Sequence, residues 1–348
     1  MLHPTPPPEQ VESDSLASDI ISQMDRITWD RIGAMSLENA RLNASTHHGK
    51  SIADLRTEVL GTGDSAVVMA SGPSNKRHDP IQAIKASGYK GALIAPESGI
   101  RYLLSNDVIP DLIVTVDPHP TRTVRLFGDP LLNEDRLAAD DYYSRQDMDE
   151  AFASELETNL QIIKLLEKYG KKMRIAMATS SSSAVVQRVL DVGMEIYWWN
   201  PMLDDPDQEN SITRELYRIN GLPSVNCGGN VGTASWMISH AVLNKKHIAL
   251  TGMDLSYYDG TPYRNTQYYD AMLKLVDEKE LDSFFIRIYN PYVKAWFFTD
   301  PAYMWYRDAF LELSADADCS TYNCTEGGIL FSDNVKCIPL ASFLESHT

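Results

Sequence analysis

VVMASGPSNKRH, residues 67–78, breaks from a short apolar run into a Ser-Gly-Pro-Ser turn and then becomes basic. A buried strand that ends in a tight turn and enters a helix reads this way. Gly72 allows close backbone approach, Pro73 stiffens the turn, and Ser74 can donate to an anion. Working outward, the unit recurs. SAVVMA (65–70), GALIAP (91–96), DLIVTVD (111–117), MRIAMAT (173–179), MEIYWWN (194–200) and HIALTGMD (247–254) are short apolar runs bounded by turn or helix signals. Strands covered by helices on both faces have this composition. Between them, residues 79–87, 98–105, 150–169, 181–191 and 230–243 fit helices. In the last, Val231, Ala234, Ile238, Ala241 and Val242 fall on one face. The predicted class is α/β: a doubly wound, Rossmann-like, mostly parallel sheet with helices on both faces.

Outside this alternation, residues 1–14 have the proline-rich, polar composition of a disordered tail. Leu16, Ile20, Met24 and Ile27 recur at steps of four, four and three, so residues 15–60 are expected to form a helical N-terminal appendage to a domain spanning 61–348. The acidic segment 128–150 reads as a solvated insertion or lid, and its Asp140 and Asp141 are left out of the candidate site.

Composition narrows the function classes. A chain of 348 residues with 43% hydrophobic residues can bury a substantial core. A net charge of −17 argues against broad attraction to nucleic acid or an anionic membrane, so any phosphate must be held locally. No apolar run approaches a membrane span and the N-terminus lacks a signal core, so the expected location is cytoplasmic. Cys227, Cys319, Cys324 and Cys337 have neither CxxC nor finger spacing, and the expectation is buried free thiols with no disulfide and no metal.

Candidate chemistry gathers where strands end, since ligands of open α/β sheets sit outside the carboxyl ends of strands. Gly72-Pro73-Ser74, with Lys76 and Arg77 beyond, is neither a GxGxxG nor a Walker loop and reads as a phosphate-facing turn or a plain tight turn. In PDLIVTVDPHP (110–120), Pro118 and Pro120 cannot continue the strand and leave Asp117 and His119 at the rim. There Asp117 can bind a ribose hydroxyl, a metal or an acceptor, or simply accept from loop amides. In NCGGNVGTAS (226–235) the glycines permit a nest of N–H groups before a helix, or Asn230 is only an N-cap. TGMDLSYYDGTPY (251–263) offers an acid and tyrosines that could steady a departing phosphate or cap a hydrophobic lid.

Together, ASGPS, IPDLIVTVDPHP, GGNVGTASWMISHAVLNKKHIALTGMDLSYYDG, FTDPAYMWYRDAF and YNCTEGGILF resemble the motility accessory factors, which are flagellin glycosyltransferase-like, and the wider 6-hydroxymethylpterin diphosphokinase-like group. The resemblance covers roughly residues 60–345. That group is in turn similar to bacterial sialyltransferases that use a CMP-sugar donor. The resemblance implies that Gly72, Pro73 and Ser74 line the donor phosphate and that Gly229, Asn230, Gly232 and Thr233 line the cytidine. By the same resemblance Tyr257 and Tyr263 match the tyrosines that stabilise the leaving phosphate, and Asp254 matches the acid after the strand.

Two departures follow. Sialyltransferases carry a general-base histidine downstream of the tyrosines, whereas after His247 this chain has only His347, so His119 or Asp117 would have to substitute. In the diphosphokinases the acidic strand end is Asp-Leu-Asp-Gly, for ATP with magnesium; here it is Val116-Asp117-Pro118-His119, with one acid absent. The expected function is therefore transfer of a nonulosonic (sialic-acid-like) sugar from a CMP-sugar donor to a protein or glycan acceptor, with no other cofactor. ATP-dependent diphosphate transfer and a non-catalytic nucleotide- or glycan-binding module are the alternatives.

Overall fold

The structure, a computed structural model, describes residues 11–12, 15–21, 24–45, 49–138, 155–273 and 277–348. The tail expected at 1–14, apart from 11–12, and residues 139–150 of the expected lid lie outside the described residues.

Fourteen strands are described. β1 (Val11–Glu12), β2 (Lys50–Ser51), β3 (Ser65–Met69), β4 (Ala92–Pro96), β5 (Leu112–Thr115), β6 (Arg174–Ala178) and β7 (Glu195–Met202) come first along the chain. β8 (Ser224–Asn226), β9 (His247–Thr251), β10 (Tyr257–Tyr258), β11 (Ile286–Asn290), β12 (Ala295–Thr299), β13 (Ser320–Asn323) and β14 (Val335–Cys337) follow. Ten form the main sheet, ordered β14-β13-β9-β3-β4-β5-β6-β7-β2 with β8 also on β7, and every pairing in it is parallel.

The apolar runs are continuous because both faces of the sheet are covered. Val67, Met69, Leu93, Ala95, Ile113, Ile175 and Met177 pack on one side, against helices Pro80–Ser87, Ile100–Ser105, Glu155–Tyr169, Ser183–Val192 and Leu340–His347. Alternate residues, Ala66, Val68, Ala92, Ile94, Leu112, Val114, Ala176 and Ala178, pack on the other. There they meet Ile52, Leu55, Phe310 and the Val231–Met237 helix, which continues as a π-helical segment, Ile238–Val242. The α/β class expected from the sequence is the class observed.

Strand order locates the site. From β3 the chain moves steadily one way through β4, β5, β6 and β7, then returns to place β9 on the other side of β3 and continues outward through β13 and β14. The direction of winding reverses between β3 and β9. At such a switch point neighbouring loops leave the sheet in opposite directions and open a crevice at the carboxyl edge.

Two further elements close over that edge. A second sheet, ordered β1-β11-β12-β10, is antiparallel throughout, with β11 and β12 paired from Ile286↔Thr299 to Asn290↔Ala295. The Met24–Ala44 helix reaches the loops after β5 and β6. Asn39 donates through Nδ2 to the Pro118 and Ser180 carbonyls (3.1 and 2.8 Å), and Asn43, one turn on, to those of Thr179 and Ser181 (2.8 and 2.7 Å). The helix is thus bound to the carboxyl edge of the sheet.

Candidate functional site

At the switch point the loops after β3 and β9 are joined. Gly72 N–H donates to the Gly252 carbonyl (2.8 Å), and Ser74 Oγ donates to Asp254 Oδ2 (2.7 Å). Glycine is required at position 72 because a Cβ there would lie 2.0 Å from Asp254 Oδ2 and 2.4 Å from the Gly252 oxygen. Asp254 is 2% exposed, and burial pushes its carboxyl up to about 6 although the hydrogen bonds from Ser74 pull the other way. Its second oxygen, Oδ1, has no hydrogen-bond partner, nor has the buried hydroxyl of Tyr258. Both face Gly327, where a Cβ would stand 2.7 Å from Tyr258 Oη and 3.8 Å from Asp254 Oδ1. The Arg77 guanidinium lies 3.9 Å from the centre of the Tyr258 ring. Ser74, Asp254, Tyr258 and Gly327 therefore form one polar cluster at the carboxyl ends of β3, β9 and β13.

Two strands further along, the β5 loop presents Asp117 and His119. Asp117 is exposed, and its Oδ1 accepts from the His119 N–H (2.8 Å), while His119 Nδ1 accepts from the Thr121 and Arg122 N–H groups (3.3 and 3.2 Å). This fixed turn uses each side chain to order the next residues. Between it and the β3 loop, directly after β4, stands Glu97, which sequence reasoning missed. It is 5% exposed, its Oε2 has no partner, and burial, reinforced by the charge of Asp117, pushes its carboxyl up to about 8. The neighbouring Ser98 accepts from Ser71 Oγ (2.8 Å), tying the β4 loop to the β3 loop. The signal was an acid placed directly after a buried apolar run, in APESG (95–99). Adjacent strands are about 4.8 Å apart, so Asp254, Ser74, Glu97 and Asp117 span about 14 Å of one edge.

The remaining sequence candidates are placed differently. Asn230 is the N-cap of the Val231–Met237 helix, accepting from the Thr233 N–H (2.9 Å) and donating to Thr233 Oγ1 (2.9 Å) and the Gly228 carbonyl (3.2 Å). Two of the turn's amides are engaged within the protein: Gly228 N–H on Asn226 Oδ1 and Asn230 N–H on the Cys227 carbonyl, both 3.0 Å. Gly229 sits at φ +76° with the Trp305 ring where a Cβ would be, 2.1 Å away, and Gly232 lies against Met253. Of the two readings the sequence left open, a nest or an N-cap at Asn230, the N-cap is the one formed, and Gly229 is required by Trp305 of the Pro301–Asp316 helix lying on the turn.

Tyr257 and Tyr263 do not join Asp254. The Tyr257 hydroxyl donates to Asp300 Oδ2 and accepts from the Gln267 N–H, both 3.0 Å, and its ring stacks on Tyr303. Tyr263 donates to Asp282 Oδ1 (2.7 Å) and stacks on Phe285. Both rings contact Phe298 in the aromatic cluster of the smaller sheet. The cause is strand alternation: in β10 Tyr257 faces that cluster, so its neighbour Tyr258 faces Asp254. Cys227, Cys319, Cys324 and Cys337 are all unpaired, and burial pushes the Cys227 thiol up to about 11.

No family model matches this chain, and no curated protein matches it. Among solved structures it is similar to a MAf glycosyltransferase from Magnetospirillum magneticum AMB-1, with a TM-score of 0.57 and 16% identity, over 89% of this chain and 39% of that one. The chain thus spans about two fifths of the length of that protein, and the likeness is one of fold. Among the described residues no helix is long and apolar enough to cross a membrane.

Proposed function

We propose that the chain is a glycosyltransferase that transfers a nonulosonic sugar from a CMP-activated donor to a hydroxyl of a protein or glycan acceptor. The observation that carries this reading is the joined pair of loops at the switch point, where Gly72 and Ser74 meet Asp254. In doubly wound sheets this is where a nucleotide phosphate is received. The fold likeness to a MAf glycosyltransferase supports the reaction class.

In this reading the loop of Gly72, Pro73 and Ser74, held in place by the bonds from Gly72 to Gly252 and from Ser74 to Asp254, borders the donor phosphate. The turn at Gly229, Asn230, Gly232 and Thr233 borders the cytidine. Tyr258, on the Asp254 side of β10, takes the role that the sequence resemblance gave to Tyr257 and Tyr263, whose hydroxyls are held by Asp300 and Asp282. Asp117 and His119 border the acceptor.

Thermal unfolding with nucleotides tests the donor. A ligand at a hundredfold its Kd, bound only by the folded state, stabilises by about 2.7 kcal/mol. For a chain of this size that amounts to a Tm rise of roughly 3 to 5 °C. The expected result is such a rise with CMP in EDTA and little with ATP. Stabilisation by ATP only with magnesium would replace this reading with diphosphate transfer, with Asp117 as a metal ligand. CMP binding without any CMP release from a CMP-sugar would leave a non-catalytic binding module.

A further inference from the structure

Resting on the glycosyl-transfer reading, we propose that Glu97 is the group that takes the proton from the acceptor hydroxyl. Transfer to a hydroxyl releases a proton. The acceptor oxygen bonds to the anomeric carbon as the bond from that carbon to the phosphate oxygen breaks. CMP leaves with the bonding pair, and the acceptor proton must go to a base. The histidine that the sialyltransferase resemblance would supply has no counterpart after the tyrosines. Asp117 and His119 were the substitutes the sequence offered, and the structure uses both to order their own turn.

Glu97 stands at the carboxyl end of β4, between the donor-side loop after β3 and the acceptor-side loop after β5. Its side chain is buried and its Oε2 has no partner, and a buried acceptor oxygen left unpaired is costly unless something meets it. Its surroundings are defined. Asp117, from the loop after β5, is a charged group whose field acts on it. The loop after β3 offers the uncharged Ser71, which bonds to Ser98. The Thr123–Phe127 turn packs against the Glu97–Gly99 segment and carries the buried Arg125. Burial and the carboxylate of Asp117 both favour the protonated form, pushing Glu97 up to about 8. A base whose pKa lies near the working pH is in the range where proton transfer is most effective.

The test uses CMP-N-acetylneuraminate, with water as the acceptor, in the full-length chain. CMP release is measured from pH 6 to 9 for wild type, Glu97→Gln and Glu97→Asp, alongside calorimetric binding of CMP. The expected wild-type rate rises with pH through about 8. Glu97→Gln should lose roughly a hundred- to ten-thousandfold of the release rate, with a flat profile, and Glu97→Asp should regain part of it. The Kd for CMP should change by less than about threefold, which separates a lost base from a damaged donor site. CMP binding with Glu97→Gln as fast as wild type, or with the same pH profile, would overturn the role of Glu97 alone. No CMP binding by the wild type would overturn the donor reading and this proposal together.

Discussion

Glu97 costs the folded chain stability where it sits, and that cost is measurable apart from any activity. Its folded pKa of about 8 lies above the ordinary 4.5. The folded state therefore binds the proton more tightly than the unfolded state, and the associated stability is fully present below about pH 4.5 and lost as pH rises toward 8. At pH 8 the loss is of order 3 to 5 kcal/mol. Glutamine keeps the shape without the charge. Glu97→Gln should therefore melt roughly 4 to 8 °C above wild type at pH 8 and within about 1 °C of it at pH 5. Equal melting temperatures at both would mean that water reaches the carboxylate and relieves its burial. A variant both more stable and less active would mark Glu97 as a functional compromise rather than a packing residue.

At the scale of elements, what the sequence disclosed and what it hid follow from burial. The main-sheet strands were legible because helices cover both faces, which demands uninterrupted apolar runs such as SAVVM and ALIAP. The smaller sheet was not read: in IRIYN (286–290) exposed Arg287 lies between buried Ile286 and Ile288, and the turn to AWFFT lacks an Asn-Gly or Asp-Gly signal. Lys294 supplies its positive φ, 54°, instead. The same sheet decides which tyrosine meets Asp254, because the pairing of Tyr257 with Phe298 sends Tyr258 to the other face. Family resemblance could place the tyrosines in the loop after β9, but only the pairing of β10 with β12 sets their direction. Two substitutions separate the faces. Tyr257→Phe strands buried Asp300 Oδ2 and the Gln267 N–H, and should cost about 1 to 3 kcal/mol in urea unfolding. Tyr258→Phe removes a hydroxyl with no protein partner, so it should cost less than about 0.5 kcal/mol and act instead on CMP release, lowering it by roughly ten- to a thousandfold. The opposite assignment of effects would return Tyr257 to the site.

The whole molecule carries the same electrostatic signature as Glu97. Asp254 and Asp300, which hold the loops after β3 and β9 and the start of the Pro301–Asp316 helix, are both pushed up to about 6 by burial. Asp111 is raised for the same reason. Each stabilises the folded state when protonated, and each contribution is lost as pH rises through its folded pKa. The net charge of −17 acts in the same direction, since self-repulsion in the compact state weakens as carboxylates take up protons. Opposing them, Asp107, Glu195, Asp204 and Asp318 have lowered pKa values, so the stability they add is lost only as pH falls below the ordinary carboxylate range. The two groups of acids bracket a window. The urea midpoint should be highest near pH 5, fall steadily toward pH 8.5 and fall again below about pH 4. In 0.5 M salt, where surface repulsion is screened, the alkaline decline should persist, because buried carboxyls are screened much less than surface ones. A decline that vanished in salt would assign it to the net charge and remove Glu97, Asp254 and Asp300 as its cause.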